Sequence, residues 1–352
     1  MHKKILFTAI FLIFNLIIIE LGLRLFNYIH PTSIFHREDY NQYRGKPNSD
    51  SYGYKLNSKG FKDVEYNKKK GEGAYRIVGI GDSFTFGVPP YPYNFLTLLE
   101  DTLNTVSSLP PVELINMGIS STGPPQYLSL ITDEALDLEP DMVLLSFFVG
   151  NDIRESSRHS LKRRVYTYSY LTSALYYLYK ASTGLSQNNM FTSYGEGSAY
   201  CDTCHAFKSS QYLDIETERS YIFQKNNPEC QRNTEDALIY MKQIKSLCDR
   251  AGTKLVVTLV PDEMQINQAL RQQIMTNAKI SADKWDNLQP NRWVTRELIM
   301  EGIPVIDLFP AFASFPSDTA LYKPNDSHWN IRGNQLAAHE LAKSIPDLIE
   351  QE

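Results

Sequence analysis

Apolar residues run from Ile5 to Phe26 behind the basic start His2-Lys3-Lys4, with Thr8, Asn15, Glu20 and Arg24 as the polar breaks. As a helix this stretch is about 33 Å long, enough to cross a hydrocarbon core of about 30 Å. It has no polar face to offer water, so a buried first helix of a soluble protein fits poorly. No Ala-x-Ala site follows the run, and Glu20 and Arg24 can pair or snorkel near an interface, which favours an uncleaved signal anchor over a removed signal peptide. The lysines hold their end in the cytoplasm by the positive-inside rule and send the rest of the chain to the extracytoplasmic side. Residues 1–26 are therefore the expected transmembrane helix. Residues 27–73, polar and rich in Tyr, Asn and Lys up to Lys68-Lys69-Lys70-Gly71-Glu72-Gly73, read as a stalk and entry loop.

From residue 74 the pattern changes to short apolar runs separated by amphipathic stretches. Ile77–Ile80, Val112–Ile115, Met142–Phe148, Lys254–Val260 and Pro304–Leu308 read as strands. The Met142–Phe148 run is continuously apolar, as a parallel strand covered on both faces must be. Between them, Phe95, Leu96, Leu98, Leu99, Leu103 and Val106 recur at helical spacing, and so do Ala237, Leu238, Met241, Ile244, Leu247 and Cys248. The second helix is expected to start at Asn233-Thr234 and stop at Gly252, and a last one to run from Asn330 through Ala342. Alternating strands and helices predict an α/β fold with an open central parallel sheet, flavodoxin-like, over residues 74–352. Residues 153–232 break the rhythm with a Tyr-rich segment, Tyr166 to Tyr179, followed by Gly-, Ser- and Asn-rich sequence. They read as an insertion that carries substrate selection or membrane contact, or as a helix packed by its own tyrosines.

Length and composition add bounds. The chain has 352 residues, 42% hydrophobic and 21% charged, enough for one full core plus appendages. Its net charge is −5 and a basic run such as Lys162-Arg163-Arg164 is short, so nucleic acid is not an expected partner. Four cysteines, Cys201, Cys204, Cys230 and Cys248, in an extracytoplasmic location favour two disulfides of unassigned pairing. Cys201-Asp202-Thr203-Cys204-His205 also matches a c-type haem attachment pattern and part of a zinc site. The pattern is short, an axial methionine is not evident and further zinc ligands are scattered, so no cofactor and no metal are expected.

The chemistry lies in four stations. Gly81-Asp82-Ser83 follows the first strand, Asn116-Met117-Gly118 the second and Gly150-Asn151-Asp152 the third, while Asp326-Ser327-His328 precedes the last helix. A serine hydroxyl becomes a nucleophile only with a base and with donors awaiting the oxyanion. Singly, each station has a plainer reading as a turn, a cap or a packed ring. Jointly and in this order, they resemble the conserved blocks of the SGNH (GDSL-type) esterase and acylhydrolase superfamily over roughly residues 50 to 345.

The resemblance implies a three-layer α/β sandwich, Ser83 as nucleophile, His328 as base, and Ser83, Gly118 and Asn151 as the oxyanion hole. The aspartate of the last block usually stands three residues before the histidine. Here Asn325 holds that place and Asp326 stands two before, so Asp326 is the third triad member. The activity implied is hydrolysis of an acyl ester through an acyl-serine, on an O-acylated envelope or secreted polysaccharide or a similar compound. The alternatives are an O-acyltransferase using the same residues and a non-catalytic component of an envelope complex.

Overall fold

The computed structural model describes residues 2–29, 40, 43–51, 53–157, 169–182, 198–316 and 319–350. Lys162-Arg163-Arg164 and Tyr166 to Tyr168 lie outside the described residues. The chain forms two units, Met1–Gln42 with Arg158–Met190, and Tyr43–Ser157 with Phe191–Glu352.

Five parallel strands build the second unit: β1 Tyr75–Ile80, β2 Val112–Asn116, β3 Met142–Phe148, β4 Lys254–Val260 and β5 Val305–Asp307. Their order is β2-β1-β3-β4-β5, with Val78 opposite both Ile115 and Val143, and Leu145 opposite Val257. This is the expected flavodoxin-like order. All residues of β1 and β3 are buried because helices cover both faces. On one face Leu96, Leu99 and Leu103 of helix Phe95–Leu103 meet Ala337, Leu341 and Ile345 of helix Ile331–Glu350 over Ile77, Leu114, Leu144 and Val256. Side chains alternate along a strand, so Val78, Val143 and Val257 face the other way, toward helices Pro228–Ala251 and Gln289–Met300.

Two expectations need correction. The helix placed from Asn233 begins at Pro228, where the Asn227 side chain accepts from the Glu229 and Cys230 amides and proline is tolerated in the first turn. Asn233 and Thr234 are interior, Thr234 Oγ1 donating back to the Cys230 carbonyl. Of the two disulfides one forms, Cys201–Cys204. Cys230 and Cys248 are free and buried on the single helix Pro228–Ala251. Eighteen residues separate them, about 27 Å along the axis, far beyond bonding reach.

In the first unit, helix His2–Ile29 contains the segment Lys3–Phe26, which is long and apolar enough to cross a membrane and buries none of that span against the protein. The unit also holds helix Tyr170–Ser182.

Candidate active site

The loops at the carboxyl ends of the parallel strands bring the four stations together, at the edge where open α/β sheets place their ligands. Strand β1 delivers Ser83 one short turn past Ile80, on helix Ser83–Phe86. Asp82 caps that turn, its Oδ1 accepting from the Phe84 amide at 2.9 Å. Ser83 is largely buried, and its Oγ lies 2.7 Å from His328 Nε2. The other ring nitrogen, Nδ1, lies 2.5 Å from Asp326 Oδ1, which also accepts from the His328 amide at 3.1 Å. One side of the imidazole rests against Phe84, ring centroids 5.2 Å apart, and Phe84 is in turn wedged against Phe148 and Trp329. The ring is thus fixed by packing as well as by hydrogen bonds.

Asp326 is buried, which by itself would raise its pKa. The charge of His328, two hydrogen bonds from that residue and nearby Lys323 outweigh burial and hold the carboxyl below the usual range. Asn325, the residue at the customary aspartate position, adopts a left-handed backbone with φ 51°. Its amide leaves the histidine for another cluster, lying 2.8 Å from His205 Nδ1 and donating to the Phe207 carbonyl at 3.1 Å and to Ser209 Oγ at 3.0 Å. The one-residue shift therefore results in a shorter turn that still aims a carboxylate at the ring.

Strand β3 ends at the turn carrying Asn151. Asp152 ties that turn down: its two oxygens accept from the Phe148 amide and the Tyr127 hydroxyl, each at 2.9 Å. Gly150 is required by close approach, since a Cβ there would fall 2.2 Å from Asp262 Oδ2 and 2.4 Å from the Phe148 ring. Asn151 Oδ1 is buried with no hydrogen-bond partner, while the amide's donor side is engaged with the buried Asp82 carboxyl. Gly118 follows β2 against the serine turn, with a would-be Cβ 2.2 Å from the Phe86 nitrogen. Its own N–H donates to Asn116 Oδ1 at 2.9 Å.

Charged groups surround these turns. Asp82 is fully buried and its pKa is pushed up to about 6 by desolvation, against the Phe84 amide, the charge of His328 and Asn151. Helix Ser209–Arg219 contributes Arg219, whose Nη1 reaches Ser327 Oγ at 3.2 Å and Glu216 Oε1 at 3.1 Å. Glu216 and Asp262 are both fully buried and both raised by burial, with Arg219 as the opposing charge. No periodicity signals these residues; they come from one helix and a strand end far apart in sequence. Among the described residues no cluster of three or more His, Cys, Asp or Glu is arranged to hold a metal ion.

A five-stranded parallel sheet with these turns on its carboxyl edge is similar to the SGNH hydrolase-like class. In agreement, the family model described as "SGNH hydrolase-like domain, acetyltransferase AlgX" matches residues 219–352. Among solved structures, an acetyl xylan esterase aligns at 14% identity, TM-score 0.44, over 77% of this chain and 99% of its own. A catalytic mutant of an acetylxylan esterase from Geobacillus stearothermophilus aligns at 11% identity, TM-score 0.42, over 77% and 94%. A GDSL-like lipase from Bacteroides thetaiotaomicron aligns at 13% identity, TM-score 0.37, over 78% and 88%. No curated protein matches the sequence.

Proposed function

We propose that this protein is a membrane-anchored serine acyl ester hydrolase, with Ser83 as nucleophile, His328 as general base and Asp326 as the group that orients the base. The observation that carries this reading is the unbroken relay from Ser83 Oγ to His328 Nε2 at 2.7 Å and from His328 Nδ1 to Asp326 Oδ1 at 2.5 Å. Ser83 Oγ attacks the ester carbonyl while its proton passes to Nε2. The imidazolium so formed is stabilised by Asp326, which stays ionised. The Ser83 amide and the Asn151 side chain take up the charge on the carbonyl oxygen. Gly118, the third oxyanion donor first expected, has its N–H given to Asn116 Oδ1. Its place in the proposal is to let the second loop close on the serine turn. His328 then returns the proton to the departing alcohol, and water repeats the sequence on the acyl-serine.

The substrate proposed is an O-acylated polysaccharide of the envelope or of a secretion on the extracytoplasmic side, in line with the basic start of the anchor. Acetyl is the acyl group favoured, since the matching family description names an acetyltransferase. That description also favours a second reading, in which the acyl-serine passes its acyl group to a sugar hydroxyl; the outcome depends on how well the site excludes water. Incubation of the full chain with an aryl acetate, with and without sugar acceptors, separates the two by release or transfer of acetyl. Failure of the wild type to react with a fluorophosphonate probe, with Ser83→Ala as the blank, would remove both enzymatic readings and leave the binding component.

A further inference from the structure

Glu20 and Arg24 are the acid–base pair inside the otherwise apolar run of the first helix. Counting from Lys4, Glu20 lies about 24 Å along the axis, short of the far boundary of a hydrocarbon core of about 30 Å. An isolated carboxylate at that depth is costly. Here it is compensated in full. Arg24 contacts Glu20 Oε1 through Nη2 at 2.8 Å and Nε at 2.9 Å. Ser169 Oγ donates to Oε2 at 2.7 Å, and the amides of Tyr170 and Leu171 donate at 3.0 Å each. Glu20 thereby caps the N-terminus of helix Tyr170–Ser182, where the dipole favours an anion. Arg24 also lies over the Tyr170 ring, 4.6 Å from its centroid.

The capping contact fixes the level of the second helix. Its start is pinned to a residue of the apolar segment itself, while Ser173, near that end, is buried. Leu175 and Leu178, with Tyr179 beside them, form an i, i+3, i+4 stripe that is exposed, Leu178 by 61%.

We propose that helix Tyr170–Ser182 is an interfacial membrane helix, its Leu175–Leu178 stripe seated in the lipid bilayer, with Glu20 as the latch that holds it there. The proposal rests on the reading of Lys3–Phe26 as a membrane anchor. It adds a second, in-plane contact to that crossing.

The test uses the full chain in vesicles of phosphatidylcholine and phosphatidylglycerol. Flotation checks the anchor, and nitroxides at Leu178→Cys or Leu175→Cys report depth by relaxation with oxygen against a polar nickel complex. Buried Cys230 and Cys248 make the parent chain the labelling blank, and Glu235→Cys is the aqueous reference. Expected is flotation, with both stripe labels about 5–10 Å into the bilayer and Glu235 in water. Glu20→Gln should float equally but free the Leu178 label, seen as a sharper spectrum. A chain that does not float removes the anchor and the interfacial helix together. A chain that floats with aqueous stripe labels overturns the helix proposal alone. Dipolar broadening that vanishes on dilution with unlabelled chain would also overturn it, assigning the stripe to a second copy.

Discussion

Asp326 Oδ1 accepts from both the ring Nδ1 and the backbone amide of His328, at 2.5 and 3.1 Å, although only one residue separates them in the chain. So short a loop leaves the carboxylate little choice of partner, and it makes the aspartate a cap for its own histidine as well as its orienting group. Asp326→Asn should therefore retain the fold but present an amide where the ring needs an acceptor. Turnover of an aryl acetate is expected to fall by about 10,000-fold, the scale of losing the correct tautomer in Ser-His-Asp enzymes, with little change in KM.

The same residue sets an acid limit. Its folded pKa lies below the unfolded value, so its contribution to stability is present above that value, 3.8, and is lost as pH falls through the lower folded one. Melting curves of wild type and Asp326→Asn should differ near neutrality and converge at the acid end.

Asp82 behaves in the opposite sense. Its pKa is raised from 3.8 to about 6, so the folded chain holds a proton that the unfolded chain has released, and stability declines as pH rises across that window. The decline amounts to at most about 3 kcal/mol for one fully buried group. Asp82→Asn can still cap the Phe84 amide through its side-chain oxygen. Denaturant titrations at pH 4 and pH 7 should show the variant gaining on wild type between the two, whatever its stability at either one.

Gly118→Ala tests whether the second loop serves by its closeness. The added methyl would meet the Phe86 nitrogen at 2.2 Å and the Thr85 carbonyl carbon at 2.5 Å, both backbone atoms of the serine turn. Relief requires moving that turn. A loss of about 1–3 kcal/mol in stability is expected from such overpacking, together with slower labelling of Ser83 by a fluorophosphonate. Normal labelling in a destabilised variant would separate packing from chemistry.

The sheet was legible because its strands are covered on both faces: Met142–Phe148 and Lys254–Val260 announce themselves as apolar runs, and their bounds match the observed strands. Ser83 and Asn151 were candidates because each follows such a run and His328 because it stands before the last helix, and the fold brings Ser83 and His328 into hydrogen-bonding reach. What escaped depends on contacts between distant segments. Arg219 reaches Ser327 across more than a hundred residues, and Asn227 replaces Asn233 as a cap because Asn-x-x-x-x-x-Asn-Thr offers two starts and only packing chooses. The pairing of Glu20 with Arg24 was open to the sequence, but its further partners, Ser169 to Leu171, stand about 150 residues away.

The Cys201–Cys204 bridge closes too small a ring to matter much for global stability, about 2 kcal/mol by loop entropy. Its position matters more. The segment it shapes is laced to the loop that carries Asp326 and His328: Lys323 Nζ donates to the Cys201 carbonyl at 2.5 Å, the Ile331 amide to Asp202 Oδ1 at 3.0 Å, and the Ala206 amide to the Pro324 carbonyl at 3.2 Å. With Asn325 held by His205, Phe207 and Ser209, the loop is gripped on both flanks of the triad residues. The double variant Cys201→Ser/Cys204→Ser should therefore lose only a few degrees in Tm while kcat drops on the order of ten- to a hundredfold, the cost of a base displaced by about an ångström. Dithiothreitol should reproduce the loss in wild type and have no effect on the variant. An unchanged kcat in the reduced protein would mean that the hydrogen bonds hold the loop without the bridge.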